Sequence, residues 1–381
     1  MRVLILGGDG YLGWPTAMYF SRKGHEVWVV DNYLRRDLCR DLDVEPLYPC
    51  PNLLARAELW REVSGRRIVA RIGDCGDYPF LVKVFRECRP DAVVHYAEQP
   101  SAPYSMMSYE AARLTLANNL FSTLNVIWAV HETVPSCHIV KLGTMGEYGT
   151  PNIDIEEGWI EIEHKGRGDR FLFPRQAGSL YHTTKIQDTD LLWFYVRMWD
   201  LQVSDLMQGP VYGIGTEETG MHDDLGTCFS YDEVFGTVLN RFIVQAVAGH
   251  PLTVYGQGGQ TRGYLNIRDT VACVELVVAN PPGPGELRIL NQFTETFTVN
   301  ELAEKVKRVG EERGHDVAVR SIPNPRKEME SHYYNPVHTG LRELGLEPHP
   351  LTDEVLHGMF ETVEKHKGSI RKDRILSGVR W

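Results

Sequence analysis

The stretch Val3-Leu-Ile-Leu6-Gly7-Gly8-Asp9-Gly10-Tyr11-Leu12-Gly13 decides the fold. A short apolar run stops at two glycines. Gly7, Gly10 and Gly13 are then spaced G-x-x-G-x-x-G ahead of a helical pattern from about residue 11 to 23. Glycines in a strand-to-helix turn allow the tight bend, let the backbone approach a pyrophosphate, and let the helix pack on the strand. The free N–H groups of the helix start then favour negative charge. The next strand candidate, 26–31 (EVWVVD), ends in Asp31, 18 residues beyond Gly13. A carboxylate there can accept from the ribose hydroxyls of an adenosine, and it repels a 2′-phosphate. Arg35 and Arg36 follow, and arginine is what a 2′-phosphate needs. Asp31 therefore points to NAD, with NADP as the alternative.

Outward from the turn, short β-branched runs alternate with longer amphipathic ones. Strands are expected at 3–6, 26–31, 68–72, 92–96, 138–142 and 203–207, and helices at 78–88, 109–133 and 180–200. Parallel strands need long crossovers, so this rhythm reads as α/β: a Rossmann-type doubly wound parallel sheet. Residues 34–67 form a partly helical excursion. Gly73-Asp74-Cys75, after the third strand, is placed to reach the adenine. Beyond residue 209 the rhythm changes. A helix-like stretch spans 231–248, a strand, loop and strand span 250–269, Pro281–Gly285 is a turn, and the tail from 300 holds helices interrupted by Pro323, Pro325 and Pro336. The expected division is a dinucleotide-binding domain over 1–210 and a smaller mixed α+β substrate-binding lobe over 211–381, with parts near 235–280 returning to the first domain.

Composition narrows the function classes. The 381 residues carry 40 Lys plus Arg against 51 Asp plus Glu, a net charge of −11, which is a poor match to nucleic acid or an anionic membrane surface. No run approaches the ~18 apolar residues of a membrane span. Seven Cys without a C-x-x-C pair exclude a standard zinc site, leave no metal to assign, and suit reduced thiols in the cytoplasm.

The chemistry-bearing motif is Tyr181-His-Thr-Thr-Lys185, at the head of a helical run. Spacing i, i+4 puts both side chains on one helix face. A nearby ammonium lowers a phenol toward working pH, so Tyr181 can take a proton from a sugar hydroxyl. Gly143-Thr144-Met145-Gly146-Glu147 follows the fifth strand, at the carboxyl edge where ligands bind in such sheets.

Thr144, Tyr181 and Lys185 together resemble the triad of the extended short-chain dehydrogenase/reductase superfamily, whose members commonly act on nucleotide sugars. His95-Tyr96-Ala97 and Asn118-Asn119 resemble its cofactor-side motifs. The segment from Tyr255 to Asp269, containing Arg262, resembles its diphosphate-reaching stretch. Asn324-Pro325-Arg326 with His332-Tyr333-Tyr334 resembles a second phosphate- and ribose-contacting one. Longer strings (GGDGY, SAPYSM from Ser101, KLGTMGEYGTPNIDIEEG from Lys141, HPLTVYG from His250) are similar to the UDP-sulfoquinovose synthase family over residues 2 to about 350.

The resemblance implies UDP-glucose and sulfite, or a sulfite donor, as substrates, tightly held NAD, and a homodimer through helices near 109–133 and 180–200. It places Thr144, Met145, Glu147, Tyr181, His182 and Lys185 at the catalytic centre. On the cofactor it places Gly7, Gly10, Tyr11, Leu12, Gly13, Asp31, Asn32, Arg35, Arg36, Asp74, Cys75, Tyr96, Ala97, Asn118, Asn119, Gln208 and Val211, beside Tyr181 and Lys185. On the sugar nucleotide it places Thr144, Gln208, Asn240, Arg241, Thr253, Tyr255, Gln257, Arg262, Arg326, His332 and Tyr333. In related 4,6-dehydratases the Thr is followed by Asp-Glu, an acid and base that remove water across C5–C6. Met145 and Gly146 stand there in this chain. Oxidation at C4 would acidify the C5 proton, with Tyr181 or Glu147 as its base. Thr144 would assist loss of the C6 hydroxyl, and His182 would hold sulfite. Pro100 stands where relatives carry Arg. Rival readings are a UDP-hexose 4-epimerase, another NAD-dependent nucleotide-sugar enzyme, and a non-catalytic dinucleotide sensor.

Overall fold

The structure, a computed structural model, describes residues 1–325 and 332–376. Six strands form at or within two residues of the expected positions: Arg2–Leu6, Glu26–Asp31, Ile68–Ile72, Ala92–His95, His138–Thr144 and Gln202–Gln208. A seventh, Glu286–Gln292, joins them. All neighbours pair in parallel, in the order 286–292, 202–208, 138–144, 92–95, 2–6, 26–31, 68–72. Buried Val, Ile and Leu fill the inner strands because both faces are covered. One face packs on Tyr78–Cys88, Tyr109–Thr133 and Leu180–Trp199. The other packs on Gly13–Arg22, Leu53–Ser64 and Ile267–Ala279.

Three helices on one face of the sheet begin at capping side chains. Asp77 accepts from Phe80 N at 3.2 Å with Pro79 in the first turn, Ser108 from Ala111 N at 3.1 Å, and Ser179 from His182 N at 3.2 Å. Each cap satisfies one of the orphan donors of a helix start.

A second core gathers Leu239, Phe242, Leu252, Val254, Leu302, Val306, Leu356 and Phe360 into the lobe. There Val238–Ala248 packs against Val299–Glu312 and Asp353–Lys365. The returning segment is therefore Ile267–Gln292 in substance. Within 235–280, only the helix Ile267–Ala279 rejoins the sheet, while 238–248 stays in the lobe. Helix 231–248 also starts later than expected, at Val238. Residues 231–237 are held irregular by the Asp232 carboxylate, which accepts from Val234 N and Phe235 N at 2.8 Å each. An antiparallel hairpin, Trp159–His164 with Arg167–Leu172, was not foreseen. Among the described residues no helix is long and apolar enough to cross a membrane.

Candidate active site

The carboxyl ends of the sheet strands open onto a cleft of ≈ 1400 Å³ between sheet and lobe. Its nucleotide end is the glycine turn. Gly7 N and Gly8 N both donate to Val30 O, at 2.8 and 3.0 Å. Gly7 has φ +84, and a Cβ there would lie 2.8 Å from the Tyr96 carbonyl carbon. A Cβ on Gly13 would lie 2.0 Å from Gly7 O. Neither position admits a side chain, and the cradle so formed fits a pyrophosphate. Gly10, Tyr11, Leu12, Asp31, Asn32, Asp74, Cys75, Tyr96, Ala97, Asn118, Gln208 and Val211 all border this cleft.

Asp31 is held in place by Asp9 N (2.9 Å) and Tyr33 N (2.7 Å), and burial, reinforced by the Asp9 charge, raises it to about 6, leaving it ionised at neutral pH. Asp9 itself is clamped by Arg36, at 2.6 and 2.8 Å, and by the fully buried Arg56 at 2.6 Å. Arg36 spends its other donors on Cys50 O and Pro51 O, both at 2.7 Å. Arg35 lies flat over Phe235, 3.5 Å from its ring centroid, and donates to Ser230. Both guanidinium groups have partners inside the protein, which removes the argument for NADP, and both residues border the nucleotide end of the cleft. Asp9 and Arg56 escaped the sequence reading: a buried arginine inside the 34–67 excursion leaves no periodic signature.

At the catalytic end, Thr144 closes its strand and caps the turn Met145–Glu147. Tyr181, in the first turn of Leu180–Trp199, faces the cleft beside Thr144 and His182. Lys185 lies one turn deeper. Its Nζ donates to Leu142 O at 2.6 Å, sits 2.6 Å from Glu98 Oε2, and is 5.8 Å from the Tyr181 ring centroid. Burial first, and then the Glu98 carboxylate, hold the Tyr181 phenol well above its ordinary value. Lys185 is paired with Glu98, so the expected lowering of the phenol by Lys185 together with an oxidised nicotinamide falls to the nicotinamide charge in large part. Glu98→Gln removes the opposing charge, so the acidic limb of the kcat–pH profile is expected to move to lower pH, measured by steady-state rates across pH. An unmoved limb would show that Glu98 has no say over the phenol.

Glu147 is also corrected. It is 0% exposed and faces away from the cleft, 3.5 Å from both Lys141 Nζ and Arg175 Nη1, with its Oε1 accepting from Thr144 N at 3.2 Å. Lys141 and Asp205, register partners on adjacent strands, complete this buried cluster at 3.5 Å. Such a group of charges persists only because each is paired. Glu147 caps and anchors the Thr144 turn and cannot reach a sugar. A sequence signal existed for the cluster: Lys141 and Asp205 each interrupt an apolar strand run.

Met145 borders the cleft, and so does Gly146, on which the His182 ring is seated. A Cβ on Gly146 would lie 2.4 Å from His182 Nε2. Pro100 is an exposed part of the rim.

In the lobe, Asn240, Arg241, Thr253, Tyr255 and Arg262 line the opposite wall. Asn240 accepts from Gly213 N at 3.1 Å and donates to Tyr11 OH at 3.3 Å, tying lobe to nucleotide turn. Arg241 lies over the Tyr255 ring at 5.1 Å, and Arg262 meets His332 Nε2 at 2.9 Å. Thr253 Oγ1 is taken up by Gln245 at 2.7 Å. Gln257, His332, Tyr333 and Asn119 do not border the cleft. Tyr333 OH instead donates to Asp154 at 2.5 Å, and Asn119 links Gln99 to Thr184. Tyr334, the last residue of the His332-Tyr333-Tyr334 string, does border it and accepts from Gly263 N at 3.0 Å. Arg326 lies outside the described residues.

A model of the NAD dependent epimerase/dehydratase family matches residues 3–291. The chloroplastic UDP-sulfoquinovose synthase of Spinacia oleracea is 50% identical over 380 residues, covering 100% of this chain and 79% of the relative. The UDP-sulfoquinovose synthase of Sulfolobus acidocaldarius is 44% identical over 384 residues, covering 100% and 98%. Among solved structures, the UDP-glucose 4-epimerase of Bifidobacterium longum in complex with NAD⁺ and UDP superposes with a TM-score of 0.72 at 19% identity, over 97% of this chain and 99% of that one. That likeness shows a shared fold. The chain belongs to the NAD dependent epimerase/dehydratase family, within its UDP-sulfoquinovose synthase branch.

Proposed function

We propose that the protein converts UDP-glucose and sulfite to UDP-sulfoquinovose. The observation that carries this is the His182 ring seated on Gly146, beside Thr144 and Tyr181 in the cleft. A dehydratase's acid and base would need side chains at 145 and 146. Here a thioether and a bare glycine leave room for an imidazole, a group suited to an incoming anion.

The glycine turn and Asp31 would hold NAD⁺, which would supply a hydride acceptor for C4 and a positive charge favouring the Tyr181 phenolate. Tyr181 takes the C4-hydroxyl proton, with Thr144 hydrogen-bonded at the same edge. A C4 ketone acidifies the C5 proton; with Glu147 sealed away, Tyr181 removes it once the proton taken from the C4 hydroxyl has been handed through Thr144 to the departing C6 hydroxyl, which restores the phenolate. Thr144 assists departure of the C6 hydroxyl as water, and His182 holds sulfite for addition at C6. Arg241 and Arg262 face the diphosphate, for which planar donors are suited.

Incubation with UDP-glucose, with and without sulfite, tests this by mass spectrometry. The expected result is a sulfonated UDP-hexose that appears only with sulfite. UDP-galactose with no sulfonated product would favour epimerisation instead.

The same reading takes the protein as a homodimer. Tyr109, Phe121, Trp128, Phe194 and Met198 stand 38–77% exposed on the two helices Tyr109–Thr133 and Leu180–Trp199. An apolar face of that kind is a cost in water unless covered. Seven free thiols suit a reducing compartment such as the cytoplasm.

A further inference from the structure

Of the seven free thiols, five are buried, and only Cys50 and Cys228 are partly open to solvent. Those two are neighbours. Leu47 N donates to Phe229 O at 2.9 Å, which lays the segment ending at Cys50 along the one running from Gly226. Gly226 sits against Tyr48 so closely that a Cβ would lie 3.0 Å from its ring. The Cys50 and Cys228 thiols lie close enough to interact electrostatically, and both residues border the cleft. Cys228 Sγ is 3.5 Å from Asp9 O, and Arg36 grips both Cys50 O and the Asp9 carboxylate. The pair is therefore built into the turn that forms the nucleotide end of the site.

We propose that Cys50 and Cys228 are a redox-active dithiol at the nucleotide end of the cleft, closed to a disulfide by a low-molecular-weight disulfide such as oxidised glutathione. Cys50 is the attacking sulfur. Its interaction with Cys228, and then the Arg56 and Arg36 guanidinium groups, favour its thiolate against the opposing effect of burial. Cys50 Sγ attacks the external disulfide, forming one S–S bond as the old one breaks, and a thiolate leaves. Cys228 then loses its proton and attacks Cys50 Sγ, expelling the second thiolate. Two thiols have been oxidised, one disulfide has been reduced to two thiols, and the two protons end on the leaving groups.

The new bond ties the segment before residue 50 to the one after 226 and takes Cys228 away from Asp9 O. A cleft wall so stapled is expected to slow dinucleotide exchange several-fold. That last consequence rests on the NAD reading, whereas the bond itself does not.

The test treats the full-length protein with oxidised glutathione, counts thiols after denaturation, and maps disulfides by peptide mass spectrometry. The expected result is the loss of two thiols per chain, a Cys50–Cys228 peptide, and reversal by dithiothreitol. Cys228→Ser should instead trap a stable glutathione adduct on Cys50. Glutathione retained on Cys50 in the unsubstituted protein, a cross-link between other cysteines, or no thiol loss would each overturn the proposal.

Discussion

Tyr181→Phe is expected to cut turnover of UDP-glucose by about 10²- to 10⁴-fold, the span attributed to a positioned acid–base group. The substitution removes one oxygen from a ring whose surroundings are otherwise intact. The backbone N–H of Tyr181 still donates to Ser105 Oγ at 3.1 Å, and Lys185 remains locked to Leu142 O and Glu98. Dinucleotide content after purification should therefore match that of the parent protein, and the loss should fall on kcat. Single-turnover measurement of C4 oxidation checks this, because it reads the first proton transfer directly. Near-parental rates would mean that another group takes the proton. Within this cleft Glu147 cannot be that group, since its carboxylate is sealed against Lys141 and Arg175.

Gly13→Ala is expected to abolish retention of the dinucleotide and to cost ~1–3 kcal/mol of stability, as forced overpacking does. The clash is backbone against backbone, 2.0 Å from the new Cβ to Gly7 O, so no rotamer relieves it. Either the helix start or the strand end must move, and the helix start carries the N–H groups that would meet the pyrophosphate. Gly10→Ala is the internal comparison. Its nearest heavy atom, also Gly7 O, lies at 3.4 Å, so the turn should survive that change. Thermal melting and the absorbance of bound dinucleotide measure both. Equal behaviour of the two variants would remove the steric account of the turn.

The central sheet was legible because its strands are buried on both faces. Runs such as VLIL, VWVV and AVVH do not alternate with polar residues, and each is followed by a helix. The seventh strand hid itself because Glu286 and Arg288 break its apolar run just after the Pro-Gly turn. The hairpin 159–172 is mostly exposed, and its alternation, Ile160-Glu161-Ile162-Glu163, is only four residues long. Its turn is Lys165-Gly166, both at positive φ (52 and 75), as a two-residue hairpin turn requires. In the site, motif residues with a spacing rule (Gly7, Gly13, Asp31, Thr144, Tyr181) were readable. Glu147 was misread because three residues after a Thr is equally the spacing of a capping box. Glu98 and Lys141 went unassigned, since their role lies in contacts across strands and helices far apart in sequence.

Arg35 and Arg36 make the same point in the other direction. Proximity to Asp31 in sequence suggested a 2′-phosphate site, and the fold gives both cations partners of their own at the border of the cleft, Arg35 on Phe235 and Ser230 and Arg36 on Asp9. A charge near a motif binds a ligand only if no internal partner claims it first.

The most direct measurement follows one deuterium. UDP-glucose labelled at C4 is incubated with the protein and sulfite in ordinary water, and the isolated product is examined by NMR. Removal and return of hydrogen at C4 within one closed cleft predicts UDP-sulfoquinovose that keeps deuterium at C4. A sulfonated product with protium at C4, or deuterium recovered only in UDP-galactose, would contradict it.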